Sequence, residues 1–382
     1  GHAHIDMDWL WPWKDTLNVI KRDFSTVLSL MDRYPDLHFS HSQGATYKVV
    51  EENFPELFER VRQKVSAGNW DITASMWVEA DLNMVGTEAL VRQFLHSKRY
   101  IKAKFGLEPM MCWEPDTFGH IWTMPQIAKK SGMMGYYLMR CAKAPLCWWE
   151  GPDGSRILAF NSVYNNEINP RNIVDVAKSF YERYRLKTSM FVYGVGDHGG
   201  GPMIEDIKAA HELQKKPAMP NIIFSTTHEF FDEVLGMDIS APVVRDELNF
   251  TFDGCYTSHA DIKRYNRLCE RFLVDAEKFS IMAGSYPRKA LASSWEKALF
   301  NQFHDILDGS GIPDTYSYSS NLAEGVMGAA RRIIGDSINA IVEGIMFSKA
   351  YPSIVVFNPL PWDRKDVVRI DIKNVPVPED PE

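Results

Sequence analysis

Strand-like and helix-like patterns alternate along the first 245 residues of this 382-residue chain. Apolar residues recur about every three to four positions, as in amphipathic helices, over ranges that include 46–67, 87–105, 172–185 and 203–214. Apolar runs between them predict strands near 37–42, 70–75, 109–113, 135–139, 157–161, 189–193 and 222–225. This alternation predicts an α/β fold with a mainly parallel sheet or barrel, whose functional site lies at the carboxyl ends of the strands.

The pattern changes after about residue 246. Long amphipathic stretches at 257–283, 288–303 and 316–347 have short connections and predict a three-helix bundle. Two apolar runs near the end of the chain, at 353–357 and 367–372, predict strands. We therefore expect three domains, which are an α/β domain at 1–245, a helical bundle at 246–348 and the beginning of a truncated β-sandwich domain at 349–382.

Composition narrows the classes of partner. A net charge of -8 and a pI of about 5.8 argue against nucleic acid or an anionic membrane surface. No apolar run approaches the roughly 20 residues that cross a bilayer. The five cysteines are widely spaced and form no C-x-x-C pair, which is typical of reduced thiols in a reducing compartment and predicts a cytoplasmic protein.

The chain opens with G-H-A-H-I-D-M-D. On an extended segment His2, His4 and Asp6 point to one side, and two imidazoles with a carboxylate suit a divalent cation such as zinc. A lone histidine is more often a hydrogen-bonded core residue than a ligand. The three residues would form only part of a metal site, so further ligands must come from elsewhere. Asp116 in W-E-P-D-T-F-G-H and His304 in N-Q-F-H-D are the candidates. The motif begins at the first residue without an initiator Met, so we expect that upstream sequence is missing.

A glycine-rich loop follows the strand predicted at 189–193. Gly194, Gly196 and Gly199 satisfy G-x-G-x-x-G, which is also the pattern of dinucleotide-binding loops. Asp197 would put a negative charge where a pyrophosphate lies, and no acidic residue ends the next predicted strand to hold a ribose. A tight turn that needs glycines is the simpler interpretation.

Nine sequence blocks together resemble glycoside hydrolase family 38, the class II α-mannosidases, and in particular their cytosolic and vacuolar branch. The blocks follow one another along nearly the whole chain: G-H-A-H-I-D-x-x-W-L-W-P at 1–12, W-V-E at 77–79, V-R-Q-F-L at 91–95, P-D-T-F-G at 115–119, M-P-Q-I at 124–127, W-E-G-x-D-G-S-R at 149–156, G-x-G-D-x-G-G-G-P at 194–202, Y-T-S-H-A-x-I-K at 256–263 and N-Q-F-H-D at 301–305. The resemblance implies a seven-stranded α/β barrel-like catalytic domain, a three-helix bundle that supplies a metal ligand, and then β-sandwich domains.

The resemblance also implies a function and a set of site residues. It implies a retaining α-mannosidase that releases terminal α-linked mannose from oligosaccharides through a covalent glycosyl-enzyme intermediate. The implied metal ligands are His4, Asp6, Asp116 and His304, holding one zinc or cobalt ion, with His2 at a neighbouring position. Asp116 is also the implied nucleophile and Asp197 the implied acid/base, while Trp9, Arg140 and Asp305 are implied to contact the sugar.

One departure from the family pattern bears on the acid/base. His198 stands where this branch usually has glycine, and this affects the conformation of the loop and the orientation of the Asp197 side chain. Two other functions stay open at this point. H-x-H after a first barrel strand is also typical of metal-dependent amidohydrolases, and the chain could be an inactive carbohydrate-binding fragment. Since the β domain is only begun, we expect a formed metal site but weak hydrolysis by this piece alone.

Overall fold

A computed structural model describes residues 1–196, 198–249, 251–347 and 353–369. The strands are β1 (Phe39–His41), β2 (Trp70–Ile72), β3 (Met111–Glu114), β4 (Gly135–Leu138), β5 (Leu146–Glu150), β6 (Arg156–Asn161) and β7 (Val243–Val244). The helices are α1 (Trp13–Arg33), α2 (Gly44–Asn53), α3 (Pro55–Ser66), α4 (Thr87–Phe105), α5 (Met124–Lys130), α6 (Pro170–Tyr184), α7 (Ile204–Gln214), α8 (Thr227–Leu235), α9 (Ala260–Met282), α10 (Arg288–Phe300), α11 (His304–Asp308) and α12 (Pro313–Glu343). A 3₁₀ turn covers Asp253–Thr257.

Several helix ends follow directly from the sequence. Helix α4 ends at Gly106, which adopts the left-handed conformation (φ +74°) that favours glycine after a helix. The helical range predicted at 46–67 divides at Pro55, which starts α3 at the position where a missing N–H costs nothing. One predicted helical range therefore forms two helices, α2 and α3.

The strands form two sheets, and most of their pairings are parallel. β1 pairs with β2 in one sheet, and the other has the order β3-β4-β6-β5-β7, in which only the β5–β6 pair is antiparallel. The α/β fold is therefore confirmed, whereas a single closed seven-stranded barrel is not confirmed for the part of the chain that the structure describes. A single-residue parallel bridge between His2 and Ser40 joins the N-terminal segment to β1.

Both faces of the five-stranded sheet are buried. Along β4, Tyr137 points into one apolar cluster together with Trp113 and Phe160, whereas Tyr136 and Leu138 point into the other. Trp113 and Tyr137 stack with ring centroids 3.8 Å apart. Burial on two faces explains why these strands consist of nearly continuous apolar runs.

Several sequence predictions about strands were wrong. The described segments 189–193 and 222–225 form no named strand, and β5 and β7 were not predicted. β5 is the second strand of an antiparallel pair with β6, so it breaks the strand–helix alternation on which the predictions relied. Residues 353–369 also form no strand, and 370–372 lie outside the described residues.

Three long helices, α9, α10 and α12, lie where a bundle was predicted. The short helix α11 lies between α10 and α12 and begins at His304. None of the helices in the described ranges is long and apolar enough to cross a membrane. All five cysteines are free thiols.

Candidate active site

The N-terminal segment lies extended between β1 and the glycine loop. Its bridges are His2 to Ser40 and Ile5 to His198. Both ring nitrogens of His2 have hydrogen-bond partners. Its Nδ1 lies 3.0 Å from the carbonyl of Ser40, and its Nε2 accepts from Trp113 Nε1 at 3.4 Å. His2 is therefore a core residue beside the site, as its predicted neighbouring role requires.

His4 lies between two carboxylates and is fully buried. Its Nε2 is 2.7 Å from Asp6 Oδ1, and its Nδ1 is 2.9 Å from Glu79 Oε2. Both contacts are ion pairs that lack the angles of hydrogen bonds. Burial lowers the pKa of His4, but the charges of Glu79 and Asp6 outweigh burial and raise it well above its ordinary value. The two acids thus favour a positive charge on the His4 ring.

His304 reaches the same place from the far end of the chain. Its Nδ1 lies 2.7 Å from the backbone carbonyl of Glu79, so this nitrogen carries the proton and the Nε2 lone pair faces the site. Burial, followed by the charge of His4, lowers the pKa of His304 well below its ordinary value, which keeps the ring neutral. The two imidazoles stack with centroids 5.5 Å apart and 15° between their planes.

Asp116 follows β3 and meets Arg140, which follows the neighbouring strand β4. The guanidinium contacts Asp116 Oδ1 through two nitrogens, at 2.5 and 2.6 Å. The other oxygen, Oδ2, lies 3.9 Å from His4 Nε2. Burial raises the pKa of Asp116 to about 6, although His4 and Arg140 both favour its charged form. A cation on the Oδ2 side would favour the carboxylate further.

The four predicted ligands fit a divalent cation. Donor atoms that share a zinc ion at about 2.1 Å in tetrahedral geometry lie about 3.4 Å from one another. Distances between the proposed ligand atoms lie on both sides of that value: Asp6 Oδ1 is 2.7 Å from His4 Nε2 and 3.9 Å from His304 Nε2. One ligand atom each of His4, Asp116 and His304 also lies within 4.8 Å of the others. Both Nε2 atoms are buried and lack a hydrogen-bond partner among the described residues, as free metal ligands would be.

Of the three predicted sugar-contacting residues, Arg140 contacts Asp116 and Asp305 lies near the proposed ligands, whereas Trp9 packs elsewhere. Asp305 lies next to the proposed ligands, with its Oδ2 3.6 Å from His304 Nε2. Burial and the charges of Asp6, Asp308 and Asp116 raise the pKa of Asp305 well above its ordinary value. The ring of Trp9 packs edge-on against Trp11, with centroids 5.6 Å apart, and within the described ranges no hydrogen bond or ring contact joins it to the four ligands.

Asp197 lies outside the described residues. His198 pairs with Ile5, between His4 and Asp6, and its ring packs against Trp11 with centroids 3.8 Å apart. The loop needs its glycines, since a Cβ on Gly199 would come within 1.9 Å of Asp23 Oδ2 and its φ is +75°.

The sequence predictions did not include two buried acids that lie near the proposed ligands. Glu79 and Glu114 are each 1% exposed. Burial and the charge of Glu79 raise the pKa of Glu114 well above its ordinary value, while a hydrogen bond from Thr117 favours its charged form. Glu79 stands in the block W-V-E and Glu114 in W-E-P-D. An acid inside an apolar run was the signal that could have identified both.

Comparisons with known proteins agree with this geometry. Residues 1–253 match the family described as "Glycosyl hydrolases family 38 N-terminal domain", and residues 251–341 match "Alpha mannosidase middle domain". The chain is 34% identical to alpha-mannosidase G of Dictyostelium discoideum, over 89% of this chain and 33% of that protein. It is 30% identical to alpha-mannosidase 2C1 of Homo sapiens, over 97% of this chain and 37% of that protein. The chain thus spans 33% to 37% of the length of these relatives.

A solved structure shares the fold. The crystal structure of an alpha-mannosidase from Enterococcus faecalis V583 matches 90% of this chain and 42% of its own, with a TM-score of 0.79 and 21% sequence identity. The family resemblance inferred from the sequence blocks is confirmed by the match over residues 1–253. The chain belongs to glycosyl hydrolase family 38.

Proposed function

We propose that the chain carries the active site of a retaining α-mannosidase, which hydrolyses terminal α-linked mannose from oligosaccharides and holds one divalent cation. The environment of Asp116 carries this proposal. Arg140 holds one oxygen of its carboxylate, and the other oxygen is 3.9 Å from His4 Nε2. Asp116 therefore follows the carboxyl end of a strand. Arg140 fixes the orientation of its carboxylate, and the oxygen that Arg140 does not contact faces His4.

Retention of configuration needs a carboxylate nucleophile and a second carboxyl group that acts as acid and then as base. Asp116 supplies the nucleophile: its oxygen attacks the anomeric carbon while the leaving oxygen takes a proton, and water later releases the sugar. The nucleophile must be ionised. Arg140 favours the ionised form of Asp116 directly, and a cation beside Oδ2 would lower its pKa below the value of about 6 that burial imposes.

His4, Asp6, Asp116 and His304 would hold the cation. Two imidazole and two carboxylate ligands suit zinc and also cobalt. When bound, the ion supplies positive charge that polarises sugar hydroxyl groups and balances the carboxylates around it. His4 Nε2 would have to be unprotonated to hold the ion, so we expect binding to release protons.

Asp197 is the proposed acid/base. Supporting this role, the adjacent His198 pairs with Ile5 between two proposed ligands. Asp305 is proposed to hydrogen-bond the sugar, and Trp9 to stack against it. We further propose that residues 1–245 form the catalytic domain, that 246–348 contribute His304 as a ligand, and that 349–382 begin a β domain. The cytoplasmic location stays a prediction.

Hydrolysis of 4-nitrophenyl α-mannoside tests the proposal. Turnover should fall with a chelator, return with zinc and be absent in a His304→Ala variant. Turnover that resists the chelator while zinc is fully removed would contradict the role of the cation. Absence of hydrolysis by the chain extended to the length of its relatives would contradict the activity itself.

A mannosyl fluoride bearing an additional ring fluorine tests the nucleophile. Such a donor glycosylates a retaining enzyme quickly and is released slowly, so a mannosyl adduct should accumulate. Mass spectrometry of the digested protein should find that adduct on Asp116. An adduct on another carboxylate would reassign the nucleophile, and inversion of the product's anomeric configuration would exclude the covalent route.

A further inference from the structure

Glu79 is the only described residue that contacts both proposed histidine ligands through their Nδ1 atoms. Its carboxylate Oε2 lies 2.9 Å from His4 Nδ1, and its backbone carbonyl lies 2.7 Å from His304 Nδ1. The same carbonyl accepts the backbone N–H of His304 at 3.1 Å. One residue therefore meets both rings on the side away from the proposed ion.

The position of Glu79 is itself fixed on several sides. Its other carboxylate oxygen accepts a hydrogen bond from Ser42 Oγ, and its N–H donates to Gln43 Oε1 at 3.2 Å. Gln43 also donates through Nε2 to the carbonyl of Ile5 at 2.9 Å, which ties this group to the segment between His4 and Asp6. Next to Glu79, Ala80 bridges Phe303, the residue before His304.

Contacts at Nδ1 decide what Nε2 can do. A neutral imidazole that carries its proton on Nδ1 leaves a lone pair on Nε2, and a carboxylate beside that proton makes the lone pair more basic. Both Nε2 atoms are buried without a hydrogen-bond partner among the described residues. The carboxylate is buried too, with Glu79 1% exposed, so little water screens its charge.

We propose that Glu79 is a positioning residue that orients both imidazoles, His4 through its carboxylate charge and His304 through its backbone carbonyl, so that both Nε2 atoms face one point. The metal part of this inference rests on the proposed function, whereas the orientation of the rings does not. The two contacts differ chemically, so a side-chain substitution should disturb His4 and leave the backbone contact to His304 in place.

The test uses Glu79→Gln, with Glu277→Gln as a matched control. The side chain of Glu277 is 13% exposed, and its carboxylate pairs with Arg92 and accepts from Trp295 rather than contacting a proposed ligand. We expect Glu79→Gln to weaken zinc binding by about 10- to 100-fold, as measured by competition with a fluorescent chelator. The control should bind zinc as tightly as the unmodified chain.

Nitrogen NMR of the histidine rings supplies a readout that a loss of stability does not mimic. In the metal-free protein, Glu79→Gln should shift the His4 Nδ1 resonance and leave that of His304 unchanged. If the unmodified chain binds no zinc, the proposed cation fails while this measurement still decides the role of Glu79. Unchanged zinc affinity together with an unchanged His4 resonance would overturn the inference.

A second variant covers poor folding of Glu79→Gln. Ser42→Ala removes the hydrogen bond that holds the far oxygen of Glu79 and leaves its charge in place. We expect a smaller loss of zinc affinity than in Glu79→Gln, and a shift of the same His4 resonance in the same direction. A change at His304 instead of His4 would contradict the division between the two contacts.

Discussion

Two apolar runs of similar length, one at 157–161 and one at 222–225, both predict strands but differ in the structure. The first forms β6, which pairs with β4 on one side and β5 on the other, and its side chains alternate between two buried clusters. The second forms no strand and lines a cavity of about 690 Å³ together with the segment 188–193. An apolar run becomes a strand only where neighbours supply its backbone hydrogen bonds.

The site belongs to the first of these regions. Asp116 follows β3 and Arg140 follows β4, so the parallel pairing of these strands sets the distance between their side chains. The cavity wall includes Gly1 and His2 at the start of the N-terminal segment, and also Ser40 and Trp113, which contact the ring of His2. Changes in the sheet should therefore affect function and stability more than equal changes along the cavity.

The largest effect should come from Asp116→Asn. The amide cannot act as a nucleophile, and it replaces an anionic ligand by a neutral one, so turnover should fall by about 10³-fold or more. Zinc affinity should fall in the same variant, as measured by chelator competition. Arg140 would lose its charged partner, so a thermal melt should accompany the assay. Full activity in a folded Asp116→Asn protein would exclude Asp116 as the nucleophile.

The sequence predicted four metal ligands, but it did not single out Glu79, which contacts two of them in the structure. His4, Asp6, Asp116 and His304 stand in recognisable blocks. In the structure His4 lies near Asp6 and Asp116, and His304 lies near Asp6. The position of Glu79 inside an apolar run marks it as unusual, but its contact with His304, 225 positions away, is set by the tertiary fold. The strand errors have the same origin, since pairing partners such as β5 for β6 are set by the tertiary fold.

A matched pair of isoleucines tests the comparison between the two apolar runs directly. Ile157 in β6 is 1% exposed, whereas Ile223 on the cavity wall is 69% exposed. Ile157→Ala should reduce the free energy of unfolding by about 2–5 kcal/mol, because it leaves a hole in a packed core. Urea denaturation measures the loss. A value near zero would show that β6 is no better packed than the cavity wall.

Buried carboxyl groups near the site should make stability depend on pH. Burial raises the pKa of Asp308 to about 7, although hydrogen bonds from Ser310 and the charge of Lys263 favour its ionised form. The folded state then binds this proton more tightly than the unfolded state, so the stability contribution is complete below about pH 4 and is lost as the pH rises toward 7. The loss should be on the order of 2 kcal/mol.

Asp308→Asn isolates that contribution. The amide does not titrate, so the change in unfolding free energy between about pH 4.5 and about pH 7.5 should differ from that of the unmodified chain by this amount. Urea melts at the two pH values provide the comparison. An identical pH dependence in both proteins would assign the effect to other groups.

The smallest effect should come from Ile223→Ala. Its side chain is mostly exposed and its segment has no named strand pairing, so the change should alter the unfolding free energy by no more than about 0.5 kcal/mol. The same urea experiment that is used for Ile157→Ala measures it, under the same conditions and with the same chemical change. A loss as large as that of Ile157→Ala would mean that the segment 222–225 packs as a strand in solution, and the cavity would then be closed by contacts that its exposed side chains do not indicate.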